Sequence, residues 1–237
     1  MDSLIYSLSL TLLIAVVFVV AAFADRRIGI GFALLAAVCM GLDDFVTGLP
    51  HVVPALGLGT EWNWSGKILS LLLSAVVILA LRISPNAVGL KKPINWKVGA
   101  IALIFFVIWG ACLGTLFKPG HADGETLAFQ ATMPGLAEEL ACRGIAPALL
   151  FGLIRRREMD YGTPWVVILV TAIAFGIWHG LGYSKGGFSF DVMSALFPFI
   201  GSIPGGWLRF KTDSIVIPIL AHGIANVAFH IAGGSMT

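Results

Sequence analysis

The sequence predicts an all-α, polytopic membrane protein with about eight transmembrane helices. Of the 237 residues, 58% are hydrophobic and only 12% are charged, whereas soluble domains carry roughly 25% charged residues. Mean hydropathy is +0.93, and the Lys and Arg residues cluster between long apolar runs. We therefore expect a single integral membrane domain over residues 1–237, in contact with membrane lipids and with no nucleic-acid partner.

Apolar runs bounded by turn residues or basic clusters define the predicted spans. They cover about 4–24, 28–44, 67–83, 98–117, 126–154, 164–183, 190–210 and 214–232. The fifth would be roughly 43 Å long as one straight helix, which exceeds a hydrocarbon core of ~30 Å. We expect it to break at Pro134 or Pro147, with Thr132 capping a restarted helix.

Basic residues are unevenly distributed when alternate loops are placed on opposite sides of the membrane. Arg143 lies within the membrane, and the sparse side carries only Lys67, Lys118 and Lys185. The positive-inside rule makes the rich side cytoplasmic, so both termini are expected on the outer side of a bacterial cell (inner) membrane. The rich side carries Arg26, Arg27, Arg82, Lys91, Lys92, Lys97, Arg155, Arg156, Arg157, Arg209 and Lys211.

An acidic pair, Asp43 and Asp44, closes the second predicted span. Turn residues follow it over 48–66, so we expect the pair to end a helix rather than to take part in chemistry. In that loop, Trp62 and Trp64 are suited to the membrane interface.

The fifth span carries Glu138, Glu139 and Arg143 near its middle. An ionisable side chain at the bilayer centre costs roughly 2.5–3.5 kcal/mol on insertion scales, so such residues indicate a functional site. Glu139 and Arg143 are four apart and can pair on one helix face, which leaves Glu138 free for chemistry. The alternative is a buried ion pair that only fixes helix packing, but such a pair needs one carboxylate and this span has two.

Two more polar pairs lie in the later spans. Phe175 and His179 are four residues apart, as are His222 and Asn226, so each pair shares a helix face. By helical rise from the inner end of each span, Glu138, His179, His222 and Asn226 lie at a similar depth. The sequence therefore predicts a shared polar site, built by predicted helices 5 to 8.

These residues form three motifs: E-E-x-x-x-R at 138–143, F-x-x-x-H at 175–179 and H-x-x-x-N at 222–226. Their order on successive late spans resembles the CAAX protease and bacteriocin-processing family, also called the abortive-infection family, which includes the type II CAAX prenyl endopeptidases. The resemblance covers roughly residues 126–230, within a motif-bearing core of about 126–232.

The resemblance implies a glutamate-dependent intramembrane endopeptidase that needs no cofactor. Glu138 would be the base that activates water, and His179 would help to hold that water. His222 and Asn226 would point at the oxyanion, and Arg143 would orient Glu139. The substrate would be a protein or peptide, with a lipidated C-terminal tail as the precedent from the type II enzymes.

Two other interpretations stay open. A metal-dependent membrane protease could use Glu138, Glu139, His179 and His222 as ligands, although the H-E-x-x-H spacing is absent; inhibition by chelators would favour it. A non-enzymatic bacteriocin-immunity or transport-type protein could also bury carboxylates, although the sequence shows no inverted repeat.

Overall fold

The computed structural model describes residues 2–152 and 164–236. The basic cluster at 155–157, which the topology prediction uses, lies outside the described residues. The helices are α1 (Asp2–Ala24), α2 (Ile30–Val52), α3 (Trp64–Ala80), α4 (Pro85–Val88), α5 (Trp96–Phe117), α6 (Gly124–Glu139), α7 (Ala146–Leu150), α8 (Trp165–Gly180), α9 (Val192–Lys211) and α10 (Val216–Gly233). A 3₁₀ turn covers Pro54–Leu56, and a π-helical turn covers Leu140–Ile145.

Two short strand pairs are a small departure from the all-α prediction. Strand β1 (Gly120–Ala122) pairs in parallel with β4 (Gly234–Met236). Strands β2 (Leu181–Ser184) and β3 (Gly187–Phe190) form an antiparallel hairpin between α8 and α9. Asp191 then caps α9, because its Oδ1 accepts hydrogen bonds from the backbone N–H groups of Met193 at 2.9 Å and Ser194 at 3.1 Å.

The helical membrane class is confirmed, whereas the count of eight spans stays a prediction. Helices α1, α2, α5 and α10 are long and apolar enough to cross a membrane, and α3 and α8 are shorter apolar helices. Large apolar side chains point outward, including Leu12, Phe23, Leu79 and Ile101, each more than 60% exposed. Such a surface suits lipid tails rather than water.

Small residues bring the first two helices together. Ala33, Ala36 and Ala37 of α2 are fully buried, and they belong to the same core cluster as Leu10 and Phe18 of α1. Side chains this small allow helix backbones to approach closely, which is how membrane helices gain packing energy.

Glycines place α10 beside α5. At Gly110 and Gly114 of α5, an added Cβ would lie 2.1 Å from the carbonyl oxygens of Ala225 and Phe229, respectively. Only glycine permits that approach at both positions. On another side of α10, a Cβ at Gly223 would lie 2.4 Å from a backbone oxygen of α6. Helix α10 is therefore held between α5 and α6, with its polar residues facing the interior.

The prediction that Asp43 and Asp44 end a helix is wrong, because α2 continues to Val52. Asp43 is buried and accepts a hydrogen bond of 2.6 Å from the hydroxyl of Ser70 in α3. Asp44 accepts one from Trp178 Nε1 at 2.7 Å and another from a serine of α1. Donors on neighbouring helices satisfy both carboxylates, so the helix has no reason to stop there.

The predicted break of the fifth span is also misplaced. Helix α6 runs through Pro134 to Glu139, and the Thr132 hydroxyl donates to the Ala128 carbonyl within the helix instead of capping a new one. The irregularity is the π-helical turn, which ends before Pro147. Turns of this kind are frequent at functional sites, and this one follows directly on the two glutamates.

Candidate active site

Arg143 lies in the π-helical turn and is held on three sides. Its Nη1 atom is 3.0 Å from Oε1 of Glu139, and its Nη2 donates to the hydroxyl of Ser202 in α9 at 2.7 Å. The guanidinium carbon lies 4.3 Å from the centre of the Phe175 ring, which adds a cation–π contact. The structure thus forms the four-residue ion pair that the sequence predicts, and ties it to α8 and α9.

Glu138 is paired rather than left free. Its Oε1 atom lies 2.6 Å from Nζ of Lys67 in α3. Its Oε2 atom lies 3.8 Å from Nε2 of His179 and 3.9 Å from Nε2 of His222. These two distances are too long for direct hydrogen bonds and suit a single bridging water.

The hydrogen bonds of the two histidines indicate which ring nitrogen carries the proton. Nδ1 of His179 is 2.9 Å from the carbonyl oxygen of Phe175, and a carbonyl can only accept, so Nδ1 is the donor. Nδ1 of His222 is 2.9 Å from Oε1 of Glu139, which as a carboxylate also accepts. We infer that in the neutral rings both Nε2 atoms are acceptors turned toward Glu138.

Asn226 is oriented by Gln130, a residue that none of the three motifs includes. Its Nδ2 donates to Oε1 of Gln130 in α6 at 2.9 Å. Nδ2 carries a second hydrogen, which this bond does not use.

One cavity of about 510 Å³ joins these groups. Its wall is mostly apolar and aromatic, including Trp62, Phe129 and Trp109. All six predicted site residues line it: Glu138, Glu139, Arg143, His179, His222 and Asn226. A concave apolar pocket with a few convergent polar groups is the usual form of a binding site for an organic ligand.

Lys67, Gln130 and Ser202 also line the cavity. The loop charges predicted that Lys67 lies on the outer side, yet this residue lies in the first turn of α3 with its side chain turned inward. The sequence signal for Lys67 was its position as a charged residue at the edge of an apolar run. Gln130 and Ser202 carried none, because polar uncharged residues are common in helices.

No group of three or more His, Cys, Asp or Glu side chains in residues 2–152 and 164–236 is arranged to hold a metal ion. At Glu138, the ammonium group of Lys67 would repel a metal cation bound to the same carboxylate.

Comparison with family models identifies residues 125–228 as a match to the family described as type II CAAX prenyl endopeptidase Rce1-like. The resemblance predicted from the three motifs is therefore confirmed, and the matched segment contains all three. Searches of curated proteins and of solved structures found no match.

Proposed function

Because residues 125–228 match the family described as type II CAAX prenyl endopeptidase Rce1-like, we propose that this membrane protein is a glutamate-dependent intramembrane endopeptidase. The observation that supports it best is the position of Glu138 Oε2, which lies less than 4 Å from Nε2 of both His179 and His222. A water that donates to Oε2 of Glu138 and to Nε2 of His179 has both hydrogens engaged and a lone pair free for attack, and it lies beside Nε2 of His222.

Glu138 acts as the general base in this proposal. Its Oε2 takes a proton from the water, while Nε2 of His179 accepts a hydrogen bond from the other hydrogen and fixes the orientation of the water. The oxygen attacks the peptide carbonyl carbon, and the carbonyl becomes an oxyanion. Glu138 then passes its proton to the amide nitrogen, and the C–N bond breaks. The second hydrogen of the water stays on the new carboxyl group and passes to the amine, so a carboxylate and an ammonium are released.

Asn226 stabilises the oxyanion with the Nδ2 hydrogen that Gln130 does not use. His222 donates to the same oxygen when both its nitrogens carry protons, since Nδ1–H then stays on Glu139 and Nε2–H is free. Preorganised donors of this kind act on the charge that develops in the transition state, so they raise the rate more than the affinity.

Arg143, Glu139 and His222 form a positioning chain. Arg143 holds Glu139, and the same oxygen, Oε1, faces Nδ1 of His222. This gives the second glutamate a role besides packing, because it orients the ring whose other nitrogen faces Glu138.

The substrate is proposed to be a protein or peptide that reaches the cavity from within the membrane, such as a lipidated C-terminal tail. The aromatic wall, which includes Phe106, Trp109 and Phe197, supports this choice because it would bury apolar side chains or a lipid chain. We further propose that residues 1–237 form one integral membrane domain, with the motif-bearing core at about 126–232. This domain lies in a bacterial inner membrane, and both termini are on the outer side.

The test is incubation of the purified protein in detergent with a peptide library, followed by mass spectrometry. The Glu138→Gln variant serves as the blank, because its amide fills the same space but cannot accept the proton of water. Peptides cut only by the wild type support the proposal. Identical products from the two proteins, or none, would reject it.

A further inference from the structure

Lys67 occupies the oxygen of Glu138 that the two histidines do not face. Its ammonium group is 2.6 Å from Oε1, and the side chains of both residues are little exposed, at 13% and 11%. A general base with an ammonium on one oxygen is a poorer proton acceptor, because the proton it takes up must compete with that charge. The resting structure therefore holds the proposed base in a restrained state.

Glu138 is the only salt-bridge partner of Lys67 among the described residues, and Asp43 and Asp44 interact with its charge from farther away. The ammonium therefore leaves Glu138 at low cost only if another anion takes the place of that carboxylate. In a cavity with an apolar wall, an unpaired ammonium costs several kcal/mol, so spontaneous release is rare. An incoming carboxylate removes that cost, since one ion pair forms as the other opens. The ammonium group of Lys67 then has an anionic partner both before and after the exchange.

Arg143 is poorly placed to receive such an anion, although it lines the same cavity. Its guanidinium faces Glu139 and Ser202 and is stacked on Phe175, and its side chain is only 4% exposed. Lys67 has a longer flexible stem and a more exposed head group. Of these two cations, Lys67 is the one that can change partners.

We infer that Lys67 binds a carboxylate of the substrate, and that this exchange releases Oε1 of Glu138 when substrate is bound. The inference rests on the proposed function and assigns Lys67 as a specificity-determining residue, which favours peptides with a carboxylate near the scissile bond. A lysine side chain reaches about 6 Å, and an extended chain advances about 3.3–3.6 Å per residue. The carboxylate therefore lies within about two residues of the cut, and a C-terminal end or an acidic side chain can supply it.

The experiment uses a peptide that the wild type cleaves, made in three forms. One ends in a free carboxylate, one in a carboxamide, and one in a carboxamide preceded by aspartate. In the wild type we expect kcat/KM to be about 10- to 100-fold higher for the free acid than for the amide, as for one charge-assisted hydrogen bond. Rescue of cleavage by the aspartate form would identify a side-chain carboxylate as the ligand, and failure to rescue would identify the C-terminus.

The ratio of kcat/KM for the free-acid peptide to kcat/KM for the carboxamide peptide is then measured in variants. Lys67→Met should bring it close to one, whereas Lys67→Arg should retain a preference for the acid. Lys97→Met, which changes an exposed lysine of α5 outside the cavity, should keep the wild-type ratio. A ratio of one in the wild type, or an unchanged ratio in Lys67→Met, would overturn the inference.

Peptide affinities, measured with a variant that does not turn substrate over, test the role of Lys67 separately from the proposed function. In Glu138→Gln, Lys67 has lost its salt-bridge partner. The acid peptide should therefore bind this variant more tightly than it binds the wild type, whereas the amide peptide should bind both proteins equally well. Equal affinity of acid and amide peptides for Glu138→Gln would reject the role of Lys67. Absence of cleavage by the wild type, with a preference for the acid in binding, would reject only the peptidase.

Discussion

Arg143 and Glu139 form a salt bridge of 3.0 Å in which each side chain is only 4% exposed. Oε2 of Glu139 has no hydrogen-bond partner among the described residues, so the guanidinium carries much of the compensation for this buried charge. Removal of one member of such a pair is costly, because the other charge stays buried and unpaired.

Arg143→Ala should therefore lower the free energy of unfolding by roughly 3–5 kcal/mol and also reduce activity, because Glu139 no longer orients His222. Thermal unfolding in detergent measures the first effect. The control is Arg27→Ala, which breaks a more exposed pair with Asp25 and should cost at most about 1 kcal/mol. Wild-type stability of Arg143→Ala would show that the pair is not the anchor of this site.

Glu138→Gln should abolish turnover, while the protein still folds and still binds substrate. The amide has nearly the same size as the carboxylate but cannot act as a base. Cleavage is followed with a peptide from the library, and the fold by thermal unfolding. Glu61→Gln changes an exposed glutamate outside the cavity and should behave as wild type.

The same assay distinguishes the metal-dependent alternative. Cleavage by the wild type should persist in EDTA, because the proposed mechanism activates water with a carboxylate and an imidazole. Activity that is lost in EDTA and restored by zinc would move the assignment to the metalloprotease.

Asn226→Ala should lower kcat by roughly 10²–10³ and leave KM nearly unchanged, since an oxyanion donor acts chiefly in the transition state. Gln130→Ala should give a smaller decrease in kcat, because Asn226 keeps its amide but loses the partner that orients it. Steady-state kinetics measure both. Asn86→Ala, at an exposed position in α4, is the control, and an equal rise in KM for Asn226→Ala would indicate a role in binding instead.

Reporter fusions test the membrane orientation that the loop charges predict. Fusions after Arg157 and Lys211 should report the cytoplasm, because these loops carry the basic residues. Fusions after Lys118 and Thr237 should report the outer side. Arg157 and Thr237 lie outside the described residues, so their side of the membrane rests on the charge pattern alone. A cytoplasmic C-terminus would be incompatible with eight spans.

The sequence by itself determined the helical membrane class, the approximate places of the long helices and the pairing of Glu139 with Arg143. These properties are local. Hydropathy over about 20 residues is enough to indicate a span, and a spacing of four places two side chains on one helix face. The depth of the histidines could also be read from helical rise, because the bilayer gives all spans a common reference.

Only the tertiary structure decided the partners of the buried charges. Lys67 is 71 positions from Glu138, and Asn226 is 96 from Gln130, so no local spacing relates them. Asp43 likewise stays inside α2 because a serine 27 positions away satisfies it. In an apolar interior each buried polar group must find a donor or an acceptor, and which one it finds depends on how the glycine-lined helices pack.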